Sequence, residues 1–409
     1  LNQHGVIRQE SAARTLFHLL ASSFHTFAYT HNPLTNILFH QSSSAIHAWI
    51  KTSKLCLTSL SYADQLFHGD YHAAYDGELL TFRSGGYPSS SVLLSQFEAA
   101  VRQLRLRFLD LQYQSQFPRG IPSHHDEILP SYALFTLEAA VDWLADYLRA
   151  QPKPYFGYVH LLPPHYPYKT RSDFINHFDD GWRPIPKPPR YFSEGHSQGF
   201  LDRERRFYDE FIAYVDAEFG RLYASLKQRG LLENTYLIFT SDHGEMFERG
   251  IYTHNTPTLY EPVIHIPLVI WPPGSKRRSD IYELTNNVDL LPTIAHLAGI
   301  PVPEWTEGRI LPPMDQSTSG LRDADRSVFS VEARENPMLS ALEKVTVAML
   351  TGRHKLVRYL GYGEEVYELF DLEQDPEELD DLYHPDAPIA KELRAALLRR
   401  FDQVRHVHG

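Results

Sequence analysis

A long amphipathic stretch followed at once by a short apolar run narrows the fold of this chain more than any other feature. Over residues 203–229, Phe207, Phe211, Tyr214, Val215, Phe219, Leu222 and Leu226 recur at helical spacing, so one stripe of that helix is apolar and must be buried. Gly230 ends it, and Tyr236-Leu237-Ile238-Phe239 then reads as a buried β-strand. A helix feeding a buried strand is the repeating step of an α/β protein with a mostly parallel sheet. In such sheets, sites form beyond the carboxyl ends of strands. Here the strand runs out into Thr240-Ser241-Asp242-His243-Gly244-Glu245, with His254 a short gap further on. A carboxylate and an imidazole side by side in that position commonly hold a divalent metal. The alternative for Asp242 and His243 is a helix N-cap Asp beside a surface His. His254 is a candidate third member, as a ligand or as a group that touches substrate; the alternative is a structural His.

Other patterns fit the same architecture. Residues 10–28 read as a helix with Leu16, Leu19, Leu20 and Phe24 on one face, followed by a turn at Thr30-His31-Asn32-Pro33. Residues 60–110 alternate helical patterns with a break at Gly85-Gly86. Residues 130–150 place Leu134, Leu137, Val141, Leu144 and Leu148 at helical spacing, and Pro152 and Pro154 end the run. Tyr155 to Leu162 predicts a buried strand closed by Pro163-Pro164, and the Pro-, Gly- and Asp-rich residues 170–200 a long surface loop. A strand from Ile264 to Trp271 and a helix over 289–298 follow. The pattern then changes. Residues 306–327 are polar and contain Pro and Gly, as a linker would. Strands at 328–333, 344–350, 354–360 and 365–370, then a helix over 387–405, predict a small C-terminal α+β subdomain with an antiparallel sheet. The expected division is a catalytic α/β domain over 1–305, the linker 306–327, and the subdomain 328–409.

Composition removes several classes of function. The formal net charge is −12, from 39 basic and 51 acidic residues, which argues against a broad nucleic-acid surface. An anionic substrate stays compatible, because a bound cation can reverse the local potential. Cys56 is the sole cysteine, so an internal disulfide and a Cys-rich zinc knuckle are excluded. No run approaches the length of a transmembrane segment. Leu1-Asn2-Gln3-His4-Gly5 has neither the basic start nor the apolar core of a secretory leader. The compartment stays open, with the cytoplasm as first expectation, and the oligomeric state is open.

Four segments, in order, carry a family resemblance. The stretch from Thr235 to Ile270, with the Asp242-His243 motif, His254, Leu259-Tyr260-Glu261 and Ile266-Pro267-Leu268-Val269-Ile270, resembles the sulfatase branch of the alkaline phosphatase superfamily. Tyr158-Val159-His160-Leu161-Leu162-Pro163-Pro164-His165-Tyr166-Pro167-Tyr168 looks like that family's His-containing strand end. Asn287-Val288-Asp289-Leu290-Leu291-Pro292-Thr293 resembles the helix before its C-terminal part. Tyr367-Glu368-Leu369-Phe370-Asp371-Leu372, followed by Asp375-Pro376-Glu377-Glu378, is similar to its C-terminal signature.

The resemblance implies an alkaline-phosphatase-like three-layer α/β sandwich. It implies a metal-dependent hydrolase or transferase acting on phosphate or sulfate esters, with a divalent cation (Ca, Mn, Zn or Mg, left open) and an anionic ester as partner. True sulfatases carry their nucleophile in Cys-x-Pro-Ser-Arg, and nothing here matches that pattern. Cys56, in Leu55-Cys56-Leu57-Thr58, reads as an apolar packing residue instead. Thr35, in Tyr29-Thr30-His31-Asn32-Pro33-Leu34-Thr35-Asn36, occupies the nucleophile position, as in phosphoryl-transferring relatives; a plain loop Thr is the alternative. Resemblance gives Asp242 and His243 to the metal, His165 to catalysis, and His254, Lys169 and Arg249 to substrate oxygens, Arg249 standing where many relatives have His. His160 reads equally as a core residue. Relatives also place an Asp-bearing strand before the position of Leu1, so the expectation is a sheet with a gap beside the Asp242 strand and a depleted ligand set. The rivals are a sulfatase with an unusual nucleophile, and a degenerate member that binds an anionic ligand or a partner.

Overall fold

The computed structural model describes residues 13–58, 104, 106–123, 134–314, 326–333 and 343–408; the reading of residues 60–110 and its Gly85-Gly86 break lies almost wholly outside them. Strand β1 (His25–Thr30) is the middle strand of a three-stranded parallel sheet, between β2 (Ala48–Trp49) and β5 (Tyr155–His160). Its register with β5 runs from His25 opposite Tyr155 to Thr30 opposite His160. Strand β3 (Cys56–Thr58) pairs antiparallel with the distant β4 (Leu134–Phe135) as a separate two-stranded sheet.

Two helical layers cover this sheet. On one face Phe27 and Tyr29 of β1 pack with Val141, Leu144 and Ala145 of α3 (Leu137–Ala150) and with Leu222 and Leu226 of α4 (Gln198–Gln228). On the other, Ala28 packs with Phe17 of α1 (Leu16–Leu20) and Phe39 of α2 (Pro33–Gln41). Alternation of side chains along an extended strand is what lets one strand serve both layers. Thr15 caps α1, accepting from the His18 backbone N–H at 3.3 Å, and Ser197 caps α4, accepting from Phe200 N–H at 3.4 Å.

β6 (Leu237–Thr240) pairs antiparallel with β9 (Leu268–Trp271) as a separate two-stranded sheet. β5 and β6 approach through side chains, with Tyr155 Oη 3.4 Å from Thr235 Oγ1, and no strand joins them among the described residues. Between β6 and β9 come a hairpin, β7 (Phe247–Glu248) and β8 (Ile251–Tyr252), and a short helix α5 (Glu261–Ile264). Helix α6 (Leu290–Leu297) follows.

Beyond it, β10 (Ser327–Glu332), β11 (Val345–Thr351), β12 (His354–Leu360) and β13 (Val366–Asp371) form an antiparallel sheet in sequence order. One face is covered by α7 (Pro388–His408) through Ala390, Leu393 and Leu397 against Val345, Val347 and Leu356. Near the expected linker, Arg326 makes a buried two-oxygen contact with Asp289, at 2.7 and 2.5 Å, fastening the first strand of this sheet to the turn before α6.

The main departure is at the start. Of the stretch expected to be one helix over 10–28, the described residues 13–28 hold only the five-residue α1 and then the start of strand β1. His25-Thr26-Phe27-Ala28-Tyr29-Thr30 is rich in β-branched and aromatic residues, and pairing on both sides outweighs the helical spacing of its neighbours. Thr35, expected on a turn, stands in the first turn of α2.

Candidate active site

The parallel strands deliver their ends to one place. Thr30 and His160 close the β1/β5 register, and Thr30 Oγ1 lies 3.1 Å from His160 Nδ1. Helix α2 starts directly after β1, so Thr35, one turn in, returns to the same ring: its Oγ1 is 3.3 Å from His160 Nδ1. Burial holds the His160 imidazole below its ordinary range, against an upward pull from Asp242. His160 is therefore a neutral base at pH 7, within reach of a hydroxyl.

Asp242 and His243 leave the carboxyl end of β6, and the Asp242 carboxylate lies 3.8 Å from His243 Nε2. The Asp242 side chain is 71% exposed and so open to a ligand. Gly244 is required here, since a β-carbon on it would stand 2.1 Å from the Pro262 carbonyl oxygen; its N–H instead donates to Val263 O at 2.8 Å. The turn thus presses against α5 and holds His243 at the cleft.

His254 returns to this turn from the far end of the β7–β8 hairpin. Its ring stacks on His243 with centroids 3.7 Å apart, and His165 meets His254 edge-on at 5.2 Å and His243 at 5.9 Å. One ring nitrogen from each of His165, His243 and His254 lies within 4.8 Å of the others, the spacing of a metal-binding set. Beneath them the buried Glu245 binds His254 Nδ1 with one oxygen, and accepts from Tyr168 Oη at 2.6 Å with the other. Burial and the Glu245 charge push the Tyr168 phenol far up, so it remains a donor.

Two family models match the chain: one described as Sulfatase over residues 115–300, and one described as N-sulphoglucosamine sulphohydrolase, C-terminal, over residues 248–407. The chain belongs to the sulfatase family. Among its relatives, choline-sulfatase of Rhizobium meliloti (strain 1021) is 31% identical over 281 residues, covering 63% of this chain and 51% of that protein. Arylsulfatase K of Bos taurus is 28% identical over 276 residues, covering 60% and 50%. The chain thus spans about half the length of the curated relatives it matches. The phosphonate monoester hydrolase of Agrobacterium radiobacter has the same fold, with a TM-score of 0.59 at 17% identity over 97% of this chain and 80% of that one.

Two residues given to substrate from the sequence have other partners in this structure. Lys169 Nζ donates to Ser123 Oγ at 3.2 Å and packs its stem against Gly120, and burial lowers its pKa. Arg249 requires a correction. It sits at the tip of the hairpin with φ +57°, wholly buried, and donates to the carbonyls of Glu377 and Glu378 at 3.0 and 2.7 Å. Its guanidinium lies over the Tyr260 ring, 4.4 Å from the centroid. It fastens the hairpin to the C-terminal subdomain, and a substrate oxygen cannot reach it. Conversely, sequence reasoning undervalued His160 and passed over Glu245 and Tyr168. Glu245 carried a signal, since it directly follows the Asp-His motif, but its service to His254 depends on how the hairpin closes.

Proposed function

We propose that this protein is a metal-dependent ester hydrolase, or transferase, that attacks a phosphate ester with the Thr35 hydroxyl. The observation that carries the reading is the contact of Thr35 Oγ1 with a partly buried imidazole, His160, whose pKa burial lowers, at a cleft that also holds Asp242 and His243. Family membership supports ester hydrolysis; a sulfate ester is the rival substrate, and choline-sulfatase and arylsulfatase K are named for that chemistry. Phosphoryl transfer is favoured because a Thr hydroxyl cannot form the aldehyde hydrate on which the Cys-x-Pro-Ser-Arg sulfatases depend.

In the first step Thr35 gives its proton to His160 Nδ1 and its oxygen bonds to phosphorus. The bond to the leaving oxygen breaks, and that oxygen departs with the electron pair and is protonated by solvent. Water then attacks the phosphothreonine. Thr35 Oγ1 leaves and recovers its proton from His160, while the water's proton goes to solvent; an alcohol in place of water gives transfer. A divalent cation beside Asp242 and His243 would neutralise charge on the group in flight. His165, grouped with His243 and His254, would stabilise charge on the transferring group.

The test is turnover of aryl phosphate, phosphonate and sulfate monoesters by the purified protein. Thr35→Ala is expected to lower kcat by about 10³-fold or more with the fold retained, and Thr35→Ser to keep part of it. Near wild-type turnover in Thr35→Ala would remove Thr35 from the mechanism. Saturable ester binding without turnover in the unmutated protein would mark a binding member of the family.

A further inference from the structure

We infer that Tyr166 is a specificity-determining residue: its exposed ring, at the rim of the cleft, favours an ester whose alcohol carries a flat, apolar-faced ring able to stack on it. The inference rests on the ester-hydrolase reading above and deepens it by naming the class of alcohol. No bond is made or broken at Tyr166.

A single exposed tyrosine is ordinary on a protein surface. Tyr166 differs in what holds it. Its ring is 39% exposed, yet it meets Tyr168 with centroids 5.6 Å apart and Tyr252 at 6.1 Å. Tyr168 and Tyr252 meet each other at 6.5 Å. The three ring planes are close to mutually perpendicular, at 83°, 88° and 88°, so the rings form a corner. Edge-to-face contact on two sides fixes the orientation of a ring. The two supporting rings are themselves tied down. Tyr168 is buried and its hydroxyl donates to Glu245 at 2.6 Å. The Tyr252 hydroxyl donates to Glu204 at 3.1 Å, and its backbone N–H to Glu194 at 3.2 Å. A surface ordered in advance loses little conformational freedom when a ligand stacks on it.

The corner is also joined to the reacting end of the cleft. Tyr166 directly follows His165, and Tyr252 stands two residues before His254. Glu245, which accepts from Tyr168, also binds His254 Nδ1. Attacking and leaving oxygens lie roughly in line through phosphorus. With Thr35 attacking beside His160, and the transferring group facing His165, His243 and His254, the alcohol points outward past those rings. The Tyr166 corner is the next surface it meets. Tyr158, 42% exposed, does not share this place: its ring lies 6.4 Å from that of His160, on the nucleophile's side. Beyond the corner Tyr252 meets Phe200 edge-on at 5.1 Å, so the apolar surface continues outward.

Phosphonic acids carry the anionic group with no ester bond to break, so they report binding apart from turnover. Phenylphosphonic and methylphosphonic acids are titrated into the purified full chain by calorimetry. The phenyl compound should bind about 3–10-fold more tightly. Tyr166→Phe should keep that preference, and Tyr166→Ala should remove it by weakening the phenyl compound selectively. Circular dichroism shows that each variant still folds. Equal affinity for the two acids in the unmutated protein, or a preference that survives Tyr166→Ala, overturns the inference and leaves the ester-hydrolase reading standing. Binding of neither acid overturns both.

Discussion

At the scale of single residues, the site is surrounded by groups whose burial decides their chemistry. His31 follows β1 directly, is fully buried, and stacks on Phe135 with centroids 4.1 Å apart. Neither ring nitrogen has a hydrogen-bond partner among the described residues. Burial lowers its pKa to about 3, from an ordinary 6.5, with a smaller push from His160. The folded state therefore refuses a proton that the unfolded chain accepts. Stability from this residue is complete above pH 6.5 and falls as pH drops through 6.5 toward 3. Between neutral pH and pH 5 the loss is about 2 kcal/mol. His31→Phe keeps the stack and removes the titration, so the gap in stability between pH 7 and pH 5, read by urea unfolding, should shrink by about that amount. An unchanged gap would show that His31 is hydrated or charged in the folded protein. Thr35 and His160 teach the complementary lesson: a hydroxyl and an imidazole of ordinary reactivity become a candidate pair because a helix starts where a strand ends.

At the scale of elements, the β1–β5 pairing sets the site, and one glycine permits the packing around it. A β-carbon on Gly157 of β5 would stand 2.0 Å from Phe27 Cζ of β1. Phe27 is itself buried and held edge-on by Tyr147, at 5.2 Å, so its ring cannot swing clear. Gly157→Ala should cost about 1–3 kcal/mol by overpacking. Adding Phe27→Leu should return part of the loss, a coupling that a double-mutant cycle reads from unfolding midpoints. Simple additivity would mean that Phe27 does not constrain β5. These strands also show where local pattern misleads. Leu16, Leu19 and Leu20 suggested that one helix continued through residue 28, yet the chain turns to strand at His25. The β5 partner that overrides the helical reading lies 130 residues away at the Thr30–His160 contact, beyond any local window. In the C-terminal sheet, by contrast, neighbouring strands are consecutive in sequence. Their boundaries fall within a residue or two of those expected from alternation and turns.

At the scale of the whole molecule, the C-terminal subdomain does more than follow the α/β domain. Lys355 of β12 is fully buried and pairs with Glu378 at 2.7 Å and Glu261 at 3.0 Å, while the Glu261 N–H donates to Glu378 at 2.8 Å. Burial raises the Glu378 pKa, with Lys355 pulling it down. Tyr260 and Tyr359 both donate to Glu368, at 2.9 and 2.7 Å, and Arg249 reaches the 377–378 carbonyls. These bonds clamp both ends of the 249–261 segment that carries His254. Lys355→Met leaves two carboxylates without their cation, one of them in the core, and should cost about 3–5 kcal/mol. A lowered thermal midpoint checks it, and an unchanged midpoint would show that solvent already reaches the cluster. No helix among the described residues is long and apolar enough to cross a membrane.

Taken alone, the sequence determined the α/β class, the Asp242-His243 pair at a strand end, the family and the C-terminal sheet. Each is written locally, in hydrophobic period, turn residues or contiguous motifs. Tertiary structure decided the rest. It turned Arg249 into an interdomain fastener, because a hairpin tip acquires its surroundings only when a subdomain more than a hundred residues later docks on it. It brought His160 to Thr35 and His254 to His243 by strand register and hairpin closure. Chemistry that depends on two side chains meeting across the fold is fixed by packing, which no stretch of sequence specifies by itself.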